Sequence, residues 1–129
     1  MAFSYFPFLP LSLLPVLRRV DEKPERENAG GELYDPLDPQ LSAERRRARL
    51  LTKALNETGD DRQEERARLI RELIPAAGEG VWIEPPFFCD YGTNITLGDR
   101  VFFNFNCVVL DVAPVRIRSG ALFGPAVQV

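Results

Sequence analysis

Bulky apolar residues recur every six positions through the last third of the chain, at Leu97, Phe103 and Val109, then at Ile117, Phe123 and Val129. A small or modest residue follows most of them four places later, at Val101, Cys107, Ala113, Ala121 and Val127. A helix repeats its buried face every 3.6 residues and a plain strand every 2. A period of six fits neither. It fits a solenoid in which three short strands make one triangular coil and the coils stack. The first and fifth residues of each hexad then point inward, and those between point outward or turn a corner. One step breaks the count. Val109 to Ile117 is eight residues, which predicts a small bulge or corner loop around Ala113-Pro114. Asp90 falls at a predicted corner, Asn104 directly after an inward Phe103, and Asp111 two residues after Val109. All three are expected to face solvent or a neighbouring subunit.

Upstream the period changes. Asp38-Pro39 opens a helix, with Asp38 as the cap and Pro39 at the first helical position. From about Pro39 to Asn56, Leu41, Ala48, Leu51 and Leu55 lie at helical spacing, and Thr58-Gly59 ends the run. Asp61 with Glu64 reads as a capping-box start to a second helix. Its apolar face carries Ala67, Ile70, Leu73 and Ile74, and Pro75 and Gly78 stop it. Two such short helices bury little alone. The expected arrangement is a two-helix cap over the open end of the solenoid, an α+β chain. Its segments are an apolar leader and polar linker (1–27), a helical cap (28–79) and a partial solenoid (80–129).

The first twenty residues, MAFSYFPFLPLSLLPVLRRV, are apolar, but Pro7, Pro10 and Pro15 interrupt them. A spanning helix wants about 20 unbroken apolar residues, and a signal peptide wants its positive charge before the apolar run. Here Arg18 and Arg19 come after it. The segment reads as a disordered leader or an extension of the gene model, with a membrane or import signal as the alternative.

Charge and composition narrow the chemistry. The formal net charge is −3, against the concentrated basic surface that nucleic acid requires. The cluster Arg45, Arg46, Arg47 and Arg49 reads as a solvated helix face. The chain contains no histidine. That removes Ser/His and Cys/His nucleophile pairs, an imidazole general base and imidazole metal ligands from these residues. The two cysteines, Cys89 and Cys107, make neither a zinc site nor a disulfide framework. Their spacing of eighteen equals three hexads, so they are expected to stack inside the solenoid as small buried hydrophobes.

Two segments carry a resemblance. GELYDPLDPQLSAERRRARLLTKALN (31–56) resembles the N-terminal capping segment of the maltose and galactoside O-acetyltransferases. WIEPPFFCDYGTNITLGDRVFFNFNCVVLDVAPVRI (82–117) resembles their opening coils, and together the likeness covers about residues 28–129. It implies a left-handed parallel β-helix, a homotrimer, and transfer of an acetyl group from acetyl-CoA to a sugar hydroxyl in a cleft between subunits. By position it places Asp90 and Asn104 among the residues that hold the acceptor. Asp111, in LDVAPVRI, falls where an acidic residue contacts the sugar, and Asp35, in LYDP, falls in the cap loop that reaches toward the same site. A cytoplasmic protein is implied.

The resemblance also identifies what residues 1–129 lack. The catalytic histidine of the family is expected about five residues beyond Val129, and the coils whose grooves hold the coenzyme lie further on, so no cofactor-binding residue is assigned here. The 129-residue chain is expected to be truncated, inactive alone, and poorly soluble at its open end. The competing reading is a non-catalytic binding or regulatory subunit, or the product of a decaying gene. A hexapeptide-repeat carbonic anhydrase is set aside because its zinc needs histidines.

Overall fold

The computed structural model describes residues 37–129; the leader, the linker and Asp35 lie outside them. Helix α1 spans Pro39–Asn56 and α2 spans Gln63–Leu73. Eight short strands follow: β1 (Ala76–Ala77), β2 (Trp82–Ile83), β3 (Phe87–Cys89), β4 (Ile95–Leu97), β5 (Phe102–Phe103), β6 (Cys107–Val109), β7 (Val115–Ile117) and β8 (Leu122–Phe123). All pairings are parallel and form three faces, β1-β4-β7, β2-β5-β8 and β3-β6. An isolated bridge, Val108 to Gln128, continues the third face.

Every pairing spans twenty residues, as in Ala77 with Leu97, Trp82 with Phe102 and Phe87 with Cys107. The coil is therefore two hexads plus one step of eight, and the eight-residue step found after Val109 also occurs after Cys89. This corrects the expected cysteine stack. Cys89 pairs with Val109, and Cys107 pairs with Phe87, because the extra corner residues shift the count by two. It also corrects Ala113, which is exposed; Val115 takes the inward place. The solenoid begins earlier than the sequence pattern suggests, at Ala76. At the first corner a left-handed residue recurs in each coil: Gly80 (φ +67°), Arg100 (φ +53°) and Gly120 (φ +77°).

The core is a stack of inward columns. Phe103 lies edge-on to Phe87, with ring centroids 5.4 Å apart, and is stacked on Phe123 at 4.5 Å, geometries that aromatic rings favour. Ile83, Ile95, Leu97, Val101, Cys107 and Val109 are buried with them, and Leu69, Ile70 and Leu73 of α2, with Ile74 just after it, pack against the same core from the cap. The expected cap over the first coil is present.

Polar side chains fix the cap in place. Asp38 accepts from the backbone N–H of Gln40 (2.8 Å) and Leu41 (3.0 Å), as its position before Pro39 predicts. The capping box at α2 does not form: Arg62 is the cap residue and makes no side-chain capping bond. Arg66 serves the turn instead. Only 2% exposed, it donates to the Thr58 hydroxyl, the Thr58 carbonyl, Asp60 and Glu84, and lies 5.4 Å over the Trp82 ring. A buried guanidinium needs this number of partners to offset its desolvation. At the C-terminal end of α1, the Asn56 amide donates to the Phe87 carbonyl (3.0 Å) and accepts from the Phe87 N–H (2.8 Å). A single side chain thus pegs α1 to the first strand of the third face.

Candidate functional site

The third corner is the longest, and two copies of it stack: Asp90 to Asn94 on the first coil and Leu110 to Pro114 on the second. The two extra residues let the Asp111 side chain of the second corner reach back to the backbone of the first. Asp111, expected to face outward, is fully buried. Its Oδ1 accepts from the backbone N–H of Asp90 and of Tyr91, both at 2.9 Å, and its Oδ2 from Gly92 at 2.7 Å. Its carbonyl accepts from the Asn94 amide at 2.8 Å. Alternation of side chains fails here because the residue lies in a turn, where three N–H groups converge and select a carboxylate. Asp111 therefore holds the backbone on which Asp90 stands.

The Asp90 side chain is itself half-buried at the surface. Desolvation raises its carboxyl above the usual range, the charge of Asp111 adds to this, and Arg45 and Arg49 of α1 oppose it. Arg45 also donates to the hydroxyl of the buried Tyr91 at 3.3 Å. The basic run read as a solvated helix face thus delivers two guanidiniums to the Asp90 corner. Next to it, burial and the charges of Asp111 and Asp90 push the Cys89 thiol far up, so Cys89 stays protonated and unreactive.

A raised acid is one whose protonated form the fold favours. Its stabilising contribution is full below the usual value of 3.8 and is lost as pH rises through the folded-state value. Asp90→Asn is therefore expected to raise the thermal midpoint at neutral pH and to leave it unchanged below pH 3.8. A lowered midpoint at neutral pH, in melting curves across that range, would reverse the sign of the argument.

Asn104 lies elsewhere. It follows β5 at the second corner, and its side-chain oxygen accepts from the Phe105 N–H at 2.8 Å. The position one coil above Asp90 is six residues further along the chain, or about 20 Å of extended backbone. The third face separates the two residues, so a single chain does not bring Asp90 and Asn104 together. Asp35 is outside the described residues.

Between α1 and the β3–β6 face runs a groove of about 540 Å³. Its floor is Phe88, Val108 and Leu110, its wall Arg49 and Lys53, and Asp90 stands in its lining. Sequence reasoning missed it, although a signal was present: FFC and CVVL carry apolar residues at outward as well as inward positions, where a solvated face would alternate. Among the described residues, no group of three or more acidic, cysteine or histidine side chains is placed to hold a metal. No helix there is long and apolar enough to cross a membrane.

Residues 30–78 match the maltose acetyltransferase hexapeptide capping motif. Nodulation protein L of Rhizobium meliloti is 44% identical over 99 residues, which cover 77% of this chain and 54% of that protein. The crystal structure of a maltose O-acetyltransferase from Clostridium difficile superposes with a TM-score of 0.78 at 33% identity, covering 81% of this chain and 56% of that one. The chain is a homologue of the maltose and galactoside O-acetyltransferases. A hexapeptide-repeat acetyltransferase from Vibrio cholerae, complexed with acetyl coenzyme A, has a TM-score of 0.74 at 35% identity over the same shares of the two chains. The resemblance carried by the cap and the opening coils thus stands on both sequence and structure. The chain spans about half the length of the curated relatives it matches.

Proposed function

We propose that these residues form the cap and first coils of an acetyl-CoA-dependent O-acetyltransferase that acts on a sugar hydroxyl, built as a left-handed parallel β-helix that works as a homotrimer. The observation that carries this reading is the Asp90 corner. It presents a carboxyl group beside Arg49 on a backbone pinned by Asp111, in a chain related to enzymes named for maltose and galactosides. Carboxylate and guanidinium groups fix sugar hydroxyls by paired hydrogen bonds. Because Asn104 is a whole face away from Asp90 in its own chain, we assign its acceptor role to the partner subunit's cleft, with Asp35 entering from the cap loop.

In the transfer, the sugar oxygen bonds to the acetyl carbonyl carbon, the thioester C–S bond breaks with coenzyme A leaving as its thiolate, and the hydroxyl proton passes to a base and from it to that sulfur. Asp90 and Asn104 contribute orientation of the hydroxyl. Residues 1–129 contain no histidine, so the imidazole base that the family uses has to come from outside them. General-base catalysis contributes roughly 10²–10⁴-fold, or about 3–5 kcal/mol of barrier. A polypeptide of residues 1–129 is therefore expected to transfer no labelled acetyl group from acetyl-CoA to a panel of sugars. Joined in coil register to the later coils of the Clostridium enzyme, the same residues are expected to support turnover, with Asp90→Ala lowering it about a hundredfold. A folded, trimeric chimera that acetylates no sugar would sink the reading.

A further inference from the structure

The two cap helices present different kinds of surface. On and beside α2 the surface charges are of both signs and pair, Arg62 with Glu65 at 3.0 Å and Arg68 with Glu72 at 2.9 Å. A solvated helix face is built this way. On α1, from Ala43 onward, the exposed residues are Ala43, Arg46, Arg49, Leu50, Lys53 and Ala54. Three of them are cations, none is an anion, and the rest are apolar. Arg45 and Arg49 are four residues apart, as are Arg49 and Lys53, and Arg46 lies three before Arg49. Those spacings set like charges side by side, where they repel. The carboxylates nearby leave the face positive. Glu44 accepts from the Gln40 amide, Asp90 stands on the solenoid side of Arg45 and Arg49, and Lys53 meets Glu57 at 3.8 Å with both side chains largely exposed. A contact of that last kind contributes little. In a chain of net charge −3, one helix face thus collects cations that repel one another.

We propose that this face of α1 docks on an anionic lipid surface. Charge complementarity selects the sign of the partner. Arg46, Arg49 and Lys53 line one continuous hollow with Leu50, and each cation brought near a bilayer adds to the attraction of anionic headgroups. Apolar content selects lipid over nucleic acid. Leu50, 65% exposed, stands among the cations, and Ala43 and Ala54 are exposed beside it. A phosphate backbone offers such side chains nothing, whereas the boundary between headgroups and acyl chains takes apolar groups and cations together. The sequence ahead of the cap has the same two characters. Residues 1–17 carry no charge and include Phe3, Tyr5, Phe6 and Phe8, and Arg18 and Arg19 follow. Stable attachment takes two signals, and an apolar segment with a basic patch is one such combination. Arg45 donates to the hydroxyls of Ser42 and Tyr91, and Asn56 is pegged to Phe87. The helix is therefore held to the solenoid at both ends, and the basic face meets the bilayer as a preformed surface.

The test is flotation of the full chain on a density gradient with vesicles of phosphatidylcholine, alone or mixed about 3:1 with phosphatidylglycerol. The chain is expected to partition onto the anionic vesicles about tenfold more strongly than onto the neutral ones, and to lose most of that difference at about 0.5 M salt. Arg46→Glu combined with Lys53→Glu is expected to remove the preference for phosphatidylglycerol, to leave partition onto phosphatidylcholine unchanged, and to keep the circular dichroism of the parent. Should that variant fail to fold, Arg46→Gln with Lys53→Gln is expected to lower the preference part of the way. Equal partition onto the two kinds of vesicle, flotation with neither, or a preference that the folded variants leave intact overturns the proposal. The last result would pass the selectivity to Arg18 and Arg19. A single-stranded oligonucleotide that binds the chain more tightly and strips it from the vesicles also overturns it, and would give the face to nucleic acid. Flotation reads no acetyl transfer, so the outcome stands apart from the proposed reaction.

Discussion

Asp111→Ala is expected to lower the unfolding free energy by about 3–5 kcal/mol, measured by urea denaturation of the full chain. The carboxylate is fully buried and accepts from three consecutive backbone N–H groups. Hydrogen bonds to a charged group contribute roughly 1.5–3 kcal/mol each, and stranded buried donors retain their desolvation cost. Alanine removes the acceptor for Asp90, Tyr91 and Gly92 together and leaves a void that the rigid corner fills poorly. Against a typical total of about 5–15 kcal/mol, this is a large share. Asp111→Asn separates charge from shape. One amide oxygen still accepts, but the NH₂ group faces a backbone donor, so a loss intermediate between the parent and the alanine variant is expected. A change within about 1 kcal/mol for Asp111→Ala would show that the corner is held by its neighbours and not by this side chain.

Gly92→Ala is the second large loss, for a different reason. Gly92 has φ +75°, and a Cβ built there would overlap the Leu73 carbonyl oxygen at the end of α2. The left-handed conformation costs a side chain about 1–2 kcal/mol, and forcing a methyl into backbone costs a further ~1–3 kcal/mol. Gly120 is the internal control. It has φ +77°, with nothing within 4 Å of its would-be Cβ, so Gly120→Ala is expected to show the conformational part alone. Equal losses at the two glycines in the same denaturation series would remove the steric contact with α2 from the account.

Both substitutions fall on a corner that sequence reasoning located but did not interpret. The eight-residue step after Val109 was legible, and so was a loop at Ala113-Pro114. The place of Asp111 was not, because period-2 alternation applies along a strand and fails where three N–H groups converge in a turn. The cysteine spacing misled for a related reason: three equal hexads give eighteen, while pairing shows twenty. Asp38 was legible because its partners lie two and three residues away. Arg66 was not, because Glu84 lies eighteen residues away across the cap-to-coil junction. The same limit applies to the candidate site. The motifs that make Asp90 and Asn104 candidates carry no distances, and only the folded coil shows that a full face lies between them.

The uniform twenty-residue pitch also bears on how such a chain changes over generations. A duplication or deletion of one whole pitch in the coding sequence keeps every inward column in phase, from Ile83, Phe103 and Phe123 to Phe87, Cys107 and Val127. An event two residues shorter also keeps side chains on their own faces of the sheet, yet it removes the long corner from that coil. That coil would then have no carboxylate to reach the turn beneath it. Inheritance by whole turns therefore preserves the anchor along with the core, and lineages that gained or lost length in other units would have had to find another way to pin the corner that carries Asp90.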